Sequence, residues 1–199
     1  MSEAFVLASG SASRLALLRN AGLEPRRLVP RIDEAAIRAA LQAEGADAGT
    51  IALRLAETKA CRISTRAPQA LVLGADQILV CDGEIFDKPA DMAAARATLR
   101  RLRGRSHQLI SAAVIAENGG PVWHHLGHAR LEMRAFSDRF LDAYLDAAGE
   151  VVLQSVGAYQ LEARGAQLFS RVSGDYFTIL GLPLLETLDY LRVRGILLT

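Results

Sequence analysis

An aspartate inside an apolar segment most constrains how this chain can fold. Residues 70–73 are apolar and predict a buried strand that ends at Gly74. Asp76 follows, and a second apolar run covers residues 78–80. A buried carboxylate is costly unless it is paired or binds a metal, which makes Asp76 a candidate for chemistry. A solvated position at a sheet edge or bulge explains it equally well from this segment alone.

The residues after this segment predict a β-hairpin. Asp82-Gly83 is a strong signal for a two-residue turn. The return strand carries Ile85 and Phe86, and it ends at Asp87-Lys88-Pro89. A lysine is therefore expected at the end of the strand that pairs with the Asp76 segment.

A strand, a loop of small residues and a helix begin the chain. Residues 4–8 predict a buried strand, and the loop that starts at Ser9 leads through Arg14 into a helix that stops at Gly22. Such a loop offers N–H groups and hydroxyls at the positive end of a helix, which suits a phosphate, and an arginine in the first turn adds a charge-assisted donor. The alternative is that Ser11 or Ser13 simply caps the helix.

Strands and helices alternate along the rest of the chain. A strand is expected over 28–32, followed by a helix over 34–43 and another over 51–64 that Thr50 caps. Further helices are expected over 92–103, 140–148 and 184–194, and long strands over 106–116 and 122–134. This alternation, with the long hairpin at 106–134, predicts an α/β fold with a mixed sheet.

Composition excludes several classes of protein. A net charge of +1 gives no basic field for binding a nucleic-acid polymer, and no apolar run reaches the roughly 18 residues that a membrane span needs. The first ten residues lack the basic region of a signal peptide, so none is expected. Cys61 and Cys81 match no metal-site spacing, and they are expected to be reduced, as in a cytosolic protein.

Seven short motifs follow one another along nearly the whole chain. The motifs are Leu-Ala-Ser-Gly-Ser-x-x-Arg at 7–14, Arg-Leu-Ala-x-x-Lys-Ala at 54–60, Gly-Ala-Asp-Gln to Lys-Pro at 74–89, Leu-x-Gly-x-x-His at 102–107, Phe-Ser-Asp at 136–138, Gly-Ala-Tyr at 157–159 and Gly-Leu-Pro at 181–183. Together, in this order, they resemble the Maf family of nucleoside triphosphate pyrophosphatases. Because the match covers nearly the whole chain, it is more specific than any single motif.

The resemblance implies a fold and an activity. The fold is a single domain over residues 1–199, a mixed twisted sheet flanked by helices, with two lobes and a central cleft, similar to the inosine triphosphate pyrophosphatases. The activity is hydrolysis of a nucleoside triphosphate to the monophosphate and pyrophosphate, with a divalent cation, Mg²⁺ or Mn²⁺. The resemblance also implies a cytoplasmic protein that acts on no nucleic-acid polymer and no membrane, and it is compatible with a homodimer.

The resemblance assigns roles to individual residues. Asp76 is the expected general base, and with Glu34 it is expected to hold the metal. The two lysines expected to face the triphosphate are Lys59 and Lys88. The residues of the phosphate-handling loop are Ser9, Ser11 and Arg14. These assignments suit the chemistry, because hydrolysis needs a base for water and cations for the phosphates.

Three positions resemble those that separate subgroups of the family by base preference, namely Ser13, Gln77 and Glu162. Gln77 and Glu162 match the subgroup that acts on 7-methyl-GTP, whereas Ser13 replaces the tryptophan found there. The sequence therefore favours a modified or purine nucleotide over dTTP or UTP. A dTTP- or UTP-preferring enzyme of the same family is one alternative, and a nucleotide-binding regulatory protein without turnover is the other.

Overall fold

The computed structural model describes residues 4–198, so the ends of the predicted domain, residues 1–3 and 199, lie outside it. Its strands are β1 (Ala4–Ala8), β2 (Arg26–Arg27), β3 (Ala70–Cys81), β4 (Glu84–Phe86), β5 (Ser106–Glu117), β6 (Gly120–Met133) and β7 (Phe169–Gly174). Its helices are α1 (Ala12–Asn20), α2 (Glu34–Ala43), α3 (Ala48–Ser64), α4 (Met92–Leu102), α5 (Asp138–Ala148), α6 (Tyr176–Ile179) and α7 (Leu184–Val193), with 3-10 segments at Gly149–Gln154 and Arg164–Leu168.

The seven strands form one mixed sheet, which confirms the predicted α/β class. The strand order is β2-β1-β3-β5-β6-β7, and β4 pairs with β3. β1 runs parallel to both β2 and β3, whereas β4 is antiparallel to β3 and β7 is antiparallel to β6. The predicted turn joins β3 to β4, with positive φ angles at Asp82 (51°) and Gly83 (81°), as a primed hairpin turn requires.

The prediction that the central strand ends at Gly74 is wrong. β3 runs without a break from Ala70 to Cys81, and Gly74 pairs with Ala8 of β1. A Cβ at Gly74 would lie 2.3 Å from the Ala56 carbonyl oxygen and 2.7 Å from the Ala60 nitrogen, both in α3. The glycine is therefore needed for close packing of a helix on the strand, and it does not interrupt the strand.

Other predicted boundaries shift for local reasons. The strand expected over 28–32 is instead the two-residue β2 at Arg26–Arg27, and the following chain contains Pro30, which lacks an N–H for a strand ladder. α3 begins three residues before the expected position, because the Asp47 side chain caps it by accepting from the Thr50 N–H at 2.7 Å.

The chain divides into two compact units. Within residues 4–198, the first unit comprises residues 4–77, 111–127 and 181–198, and the second comprises residues 78–110 and 128–180. Within the first unit, β1, β3 and α3 contribute to an apolar cluster that consists of Val6, Ala8, Ile63, Ala70 and Val72. Among residues 4–198, no helix is both long and apolar enough to cross a membrane.

The second unit has its own core between α4, α5 and the strands. Leu79, Leu99, Leu131 and Leu141 belong to this core, and each is fully buried. Four arginines in α4 and directly after it keep side chains that are 30–51% exposed, and each forms an ion pair with a neighbouring element. The ion pairs join Arg96 to Asp142, Arg100 to Asp138, Arg101 to Glu84 and Arg103 to Asp138.

Candidate functional site

A lysine joins the two predicted carboxylates in the first unit. The Lys59 ammonium donates to Asp76 Oδ1 at 2.6 Å and to Glu34 Oε2 at 2.8 Å. Lys59 and Asp76 are buried, whereas the Glu34 side chain is 45% exposed. The charge of Asp76 is therefore paired inside the fold, and the three side chains form a compact group that is open to solvent on the Glu34 side.

Three secondary-structure elements bring this group together. Asp76 lies in β3, Glu34 is the first residue of α2, and Lys59 lies on the buried face of α3 with Leu55, Ala56 and Ala60. The close packing at Gly74 places this face of α3 directly on β3. Helical spacing then puts Lys59 three residues from Ala56 and next to Ala60, on the side that faces the strand.

The predicted phosphate loop lies between β1 and α1. Ser9 Oγ accepts from the Ser11 N–H at 3.2 Å and from Arg14 Nη1 at 3.3 Å, and Ser11 Oγ caps α1 by accepting from the Arg14 N–H. Arg14 Nε donates to the Gly181 carbonyl at 2.7 Å. Capping by Ser11, the alternative considered from sequence, is thus present, and a guanidinium lies beside the same loop.

Arg14 is electrostatically coupled to the carboxylates. Burial lowers its pKa, and the charges of Asp76 and Glu34 offset part of that shift. A guanidinium is not deprotonated in proteins, so Arg14 carries its positive charge in the site. The first unit therefore holds two cations, Arg14 and Lys59, close to two carboxylates, and this arrangement suits a ligand that carries both phosphates and bound cations.

The remaining predicted residues divide between the two units. In the first unit, Ser13 is half-buried in the first turn of α1, and Gln77 donates to the Ser111 hydroxyl at 3.1 Å. In the second unit, Lys88 lies in the exposed segment between β4 and α4, and Glu162 lies in an exposed turn before the second 3-10 segment. The first unit thus brings together Ser9, Ser11, Arg14, Glu34, Lys59 and Asp76.

One arginine near the loop was not found from sequence. Arg27 Nε donates to the Ser9 carbonyl at 3.1 Å, and its Nη2 donates to the Gly10 carbonyl. These bonds tie β2 to the loop and engage the carbonyl oxygens of Ser9 and Gly10. The spacing of Arg26-Arg27 in the sequence does not predict a contact with the loop, because that contact depends on the pairing of β2 with β1.

The two carboxylates are suited to a divalent cation. Glu34 and Asp76 already place one oxygen each within 2.8 Å of a single cationic atom, Lys59 Nζ. Mg²⁺ is commonly held by only one or two carboxylates together with water and substrate phosphates. The part of the chain that the structure describes holds no cluster of three or more His, Cys, Asp or Glu suited to a metal.

Comparison with known sequences assigns the chain to a protein family. The sequence profile of the family described as Maf-like protein matches residues 4–194, and the chain belongs to that family. It is 50% identical over 199 residues to a nucleoside triphosphate pyrophosphatase of Hyphomonas neptunium, with all of both chains covered. It is 53% identical over 190 residues to a protein of the same name from Paramagnetospirillum magneticum, with 96% of this chain and 98% of the relative covered.

A further relative carries a more specific name. The chain is 49% identical over 195 residues to a 7-methyl-GTP pyrophosphatase of Mesorhizobium japonicum, with 98% of each chain covered. The resemblance found from the sequence motifs is therefore confirmed at the level of the family.

Proposed function

We propose that this protein hydrolyses a nucleoside triphosphate to the monophosphate and pyrophosphate, with Asp76 as the general base. Membership of the Maf-like family, with relatives about half identical over the full chain and named pyrophosphatases, makes it an enzyme of the hydrolase class. The observation that carries the mechanism is the group formed by Asp76, Lys59 and Glu34, with Asp76 buried and paired through only one of its oxygens.

In this proposal Asp76 accepts the proton from water. Its Oδ1 is engaged by Lys59, while Oδ2 has no hydrogen bond among residues 4–198. Oδ2 takes the proton as the water oxygen forms a bond to phosphorus. The bond between the α- and β-phosphates breaks, and its electron pair leaves with pyrophosphate. General bases of this kind contribute about 10²- to 10⁴-fold to the rate.

The cations of the site offset the charge of the phosphates. Arg14 and the hydroxyls of Ser9 and Ser11 line the loop at the start of α1, where a helix N-terminus favours an anion. Lys59 donates a hydrogen bond to Asp76 and orients that carboxylate. The resemblance assigns Lys88 a similar contact with the triphosphate. Lys88 lies in an exposed segment between β4 and α4.

Glu34 and Asp76 are the residues that would hold Mg²⁺ or Mn²⁺. Their oxygens are hard ligands of the kind these ions prefer. When bound, such an ion supplies neutralisation of charge on the phosphate oxygens. Lys59 shares both carboxylates, so it limits how much negative charge the pair presents to the ion.

We propose a modified or purine nucleotide, such as 7-methyl-GTP, as the preferred substrate. A glutamate at position 162 can accept from the ring N–H and the amino group of a guanine edge, and the positive charge of a methylated purine favours a nearby carboxylate. The name of the Mesorhizobium relative supports this choice. Ser13 offers no aromatic face for the base, and a preference for dTTP or UTP is the alternative.

We also propose the compartment in which the protein acts and the class of partner that it binds. Free nucleotides in the cytoplasm suit a chain with a net charge of only +1, which lacks the basic surface that a nucleic-acid polymer requires. A homodimer stays a prediction of the family resemblance, and size-exclusion chromatography with light scattering measures it.

The test is pyrophosphate release by the purified protein with Mg²⁺ or Mn²⁺, across the common triphosphates, dTTP, UTP and 7-methyl-GTP. Asp76→Asn should lower kcat at least about 100-fold for every nucleotide, because a carboxamide cannot take the proton. Asp82→Asn is a matched control in the exposed β3–β4 turn and should keep full activity. Full activity of Asp76→Asn would reject the assignment of the base. Nucleotide binding by the wild type without pyrophosphate release would favour the regulatory alternative.

A further inference from the structure

A buried histidine–tyrosine pair in the second unit takes no part in the chemistry described above. His107, at the start of β5, is 1% exposed, and its Nε2 lies 2.8 Å from the Tyr159 hydroxyl. His107 Nδ1 is buried and has no hydrogen-bond partner among residues 4–198. Burial keeps this imidazole neutral by lowering its pKa to about 4. Burial of this pair costs free energy, because both polar groups are removed from water and His107 Nδ1 lacks a hydrogen bond. A function that requires the pair is therefore expected.

Tyr159 is fixed within an aromatic cluster. Its ring meets Phe169 edge to face at 4.8 Å between centroids. A Cβ at Gly157 would lie 2.2 Å from the Tyr159 ring, so the glycine two positions earlier allows the chain to fold back over the ring. The Tyr159 side chain is thus held by packing contacts to its ring and by the hydrogen bond between its hydroxyl and His107.

The residue before Tyr159 has a strained backbone. Ala158 is fully buried with φ at 57°, in the left-handed region that non-glycine residues avoid at a cost of roughly 1–2 kcal/mol. Its carbonyl accepts from the Tyr144 hydroxyl at 3.3 Å. Two phenols, Tyr144 and Tyr159, therefore hold one strained turn in place, and strain of this kind persists only where the surroundings enforce it.

This turn leads directly to the segment that carries Glu162. The Ala163 N–H donates to the Gln160 carbonyl at 3.2 Å. A Cβ at Gly165 would lie 2.4 Å from the same carbonyl oxygen. Glu162 is exposed in this turn, between the buried Tyr159 and the tightly packed Gly165.

We infer that His107 and Tyr159 are positioning residues that set the nucleotide-base specificity of the enzyme by holding the 157–165 segment, and with it Glu162, in one conformation. The inference rests on the proposed function, in which Glu162 contacts the base. The hydrogen bond between His107 and Tyr159 orients the 157–165 segment, and the pair is neutral. The carboxylate of Glu162 is then the single charged group that recognises the base.

The experiment compares base discrimination in single and double variants. Discrimination is the ratio of kcat/KM for the best and the worst nucleotide of the panel. Tyr159→Phe removes only the hydroxyl, and it should lower this ratio at least 5-fold, through KM of the best nucleotide, with kcat changed less than 2-fold. Glu162→Gln should also lower the ratio. The double variant should lose no more than Glu162→Gln alone, because both changes act through the same side chain.

Tyr176→Phe is the matched control, since Tyr176 is a half-exposed tyrosine of the same unit, and its ratio should be unchanged. Tyr144→Phe, which frees the Ala158 carbonyl, is a second variant expected to act like Tyr159→Phe. An unchanged ratio in Tyr159→Phe, or losses that multiply in the double variant, would overturn the inference while leaving the proposed function standing. Absence of hydrolysis by the wild type would instead overturn the proposed function, and the specificity role with it.

Amide hydrogen exchange gives a readout that does not depend on activity. In Tyr159→Phe the amides of residues 157–165 should exchange at least 10-fold faster, with the core amides of β3 unchanged. Equal protection of this segment in wild type and variant would reject the positioning role even if the specificity ratio moved.

Discussion

At the scale of single residues, Lys59 is the side chain on which the candidate site depends. It is buried, and it holds two carboxylates from different elements within 2.8 Å. Removing one member of a buried ionic group leaves an uncompensated charge, which costs about 3–5 kcal/mol. We propose two roles for Lys59, which supports the fold and orients Asp76.

Lys59→Met should therefore lower the free energy of unfolding by about 3 kcal/mol and kcat/KM at least about 100-fold. Urea denaturation and pyrophosphate release measure the two effects. Arg54→Met on the exposed side of the same helix removes a surface pair with Glu57, and it should change the stability by less than about 0.5 kcal/mol. A Lys59→Met variant as stable and active as the wild type would contradict both roles.

His107 makes a prediction about pH. Its pKa is about 4 in the folded protein, from an ordinary value of 6.5, because burial disfavours the charged form. The unfolded chain therefore binds a proton near pH 6.5 and the folded chain only near pH 4. The stabilisation is complete above pH 6.5 and is lost as the pH falls towards 4, by about 3 kcal/mol in all.

Urea unfolding of the wild type and of His107→Gln at pH 7.5 and pH 4.5 isolates this contribution from that of the carboxylates. The wild type should lose about 3 kcal/mol more than the variant between the two pH values. Equal losses in both proteins would show that His107 is not the titrating group.

At the scale of elements, the contact of α3 with β3 depends on the absence of a side chain at Gly74. Gly74→Ala would place a methyl group 2.3 Å from a backbone oxygen of α3, so the helix must move away from the strand. Overpacking of this kind typically costs about 1–3 kcal/mol, and here it also displaces Lys59 from Asp76. Thermal unfolding and activity should both fall.

Gly49→Ala in the first turn of α3 is the control for this prediction. Its added methyl group would meet its neighbours at ordinary van der Waals distance, 3.4 Å. Alanine also has the higher helix propensity, by about 1 kcal/mol. Gly49→Ala should be neutral or stabilising, and a Gly74→Ala variant that behaves in the same way would show that the α3–β3 packing is not tight.

The elements also show which features sequence can predict. Asp33, Asp91 and Ser137 cap α2, α4 and α5 as their sequence contexts indicate, and Asp82-Gly83 forms its hairpin, because these signals act within a few residues. Gly74 was misread as a strand end because its reason lies in a helix 14 or more residues away in sequence.

Local sequence patterns predict less of the candidate site than of the fold. Lys59 on a helix has no signal of its own, since most helical lysines are solvated, and its partners lie 17 and 25 residues away in sequence. The family resemblance supplied that residue, and the geometry then supplied its pairing. Arg27 had neither kind of signal, because only the pairing of β1 with β2 brings it to the loop.

At the scale of the whole molecule, binding of substrate should be visible as a rise in global stability. A ligand at 100 times its Kd adds about 2.7 kcal/mol. A non-hydrolysable triphosphate analogue with Mg²⁺ should raise Tm, and a chelator should remove the part of this rise that depends on the metal. Glu34→Gln should reduce the metal-dependent part, since Glu34 is one of two carboxylates proposed to hold the ion. An equal metal effect in Glu34→Gln would exclude Glu34 as a ligand.

The path of the chain bears on how such a protein changes over evolutionary time. Three strands, β3, β5 and β6, each give residues to both compact units. A genetic crossover at three of the four unit boundaries would therefore cut through a strand, whereas the fourth boundary, between residues 180 and 181, lies outside the strands. Each unit is made of separate stretches of the chain, so a single crossover cannot exchange either unit as a module. Inheritance of the architecture as one indivisible piece agrees with relatives that align over 94% or more of this chain.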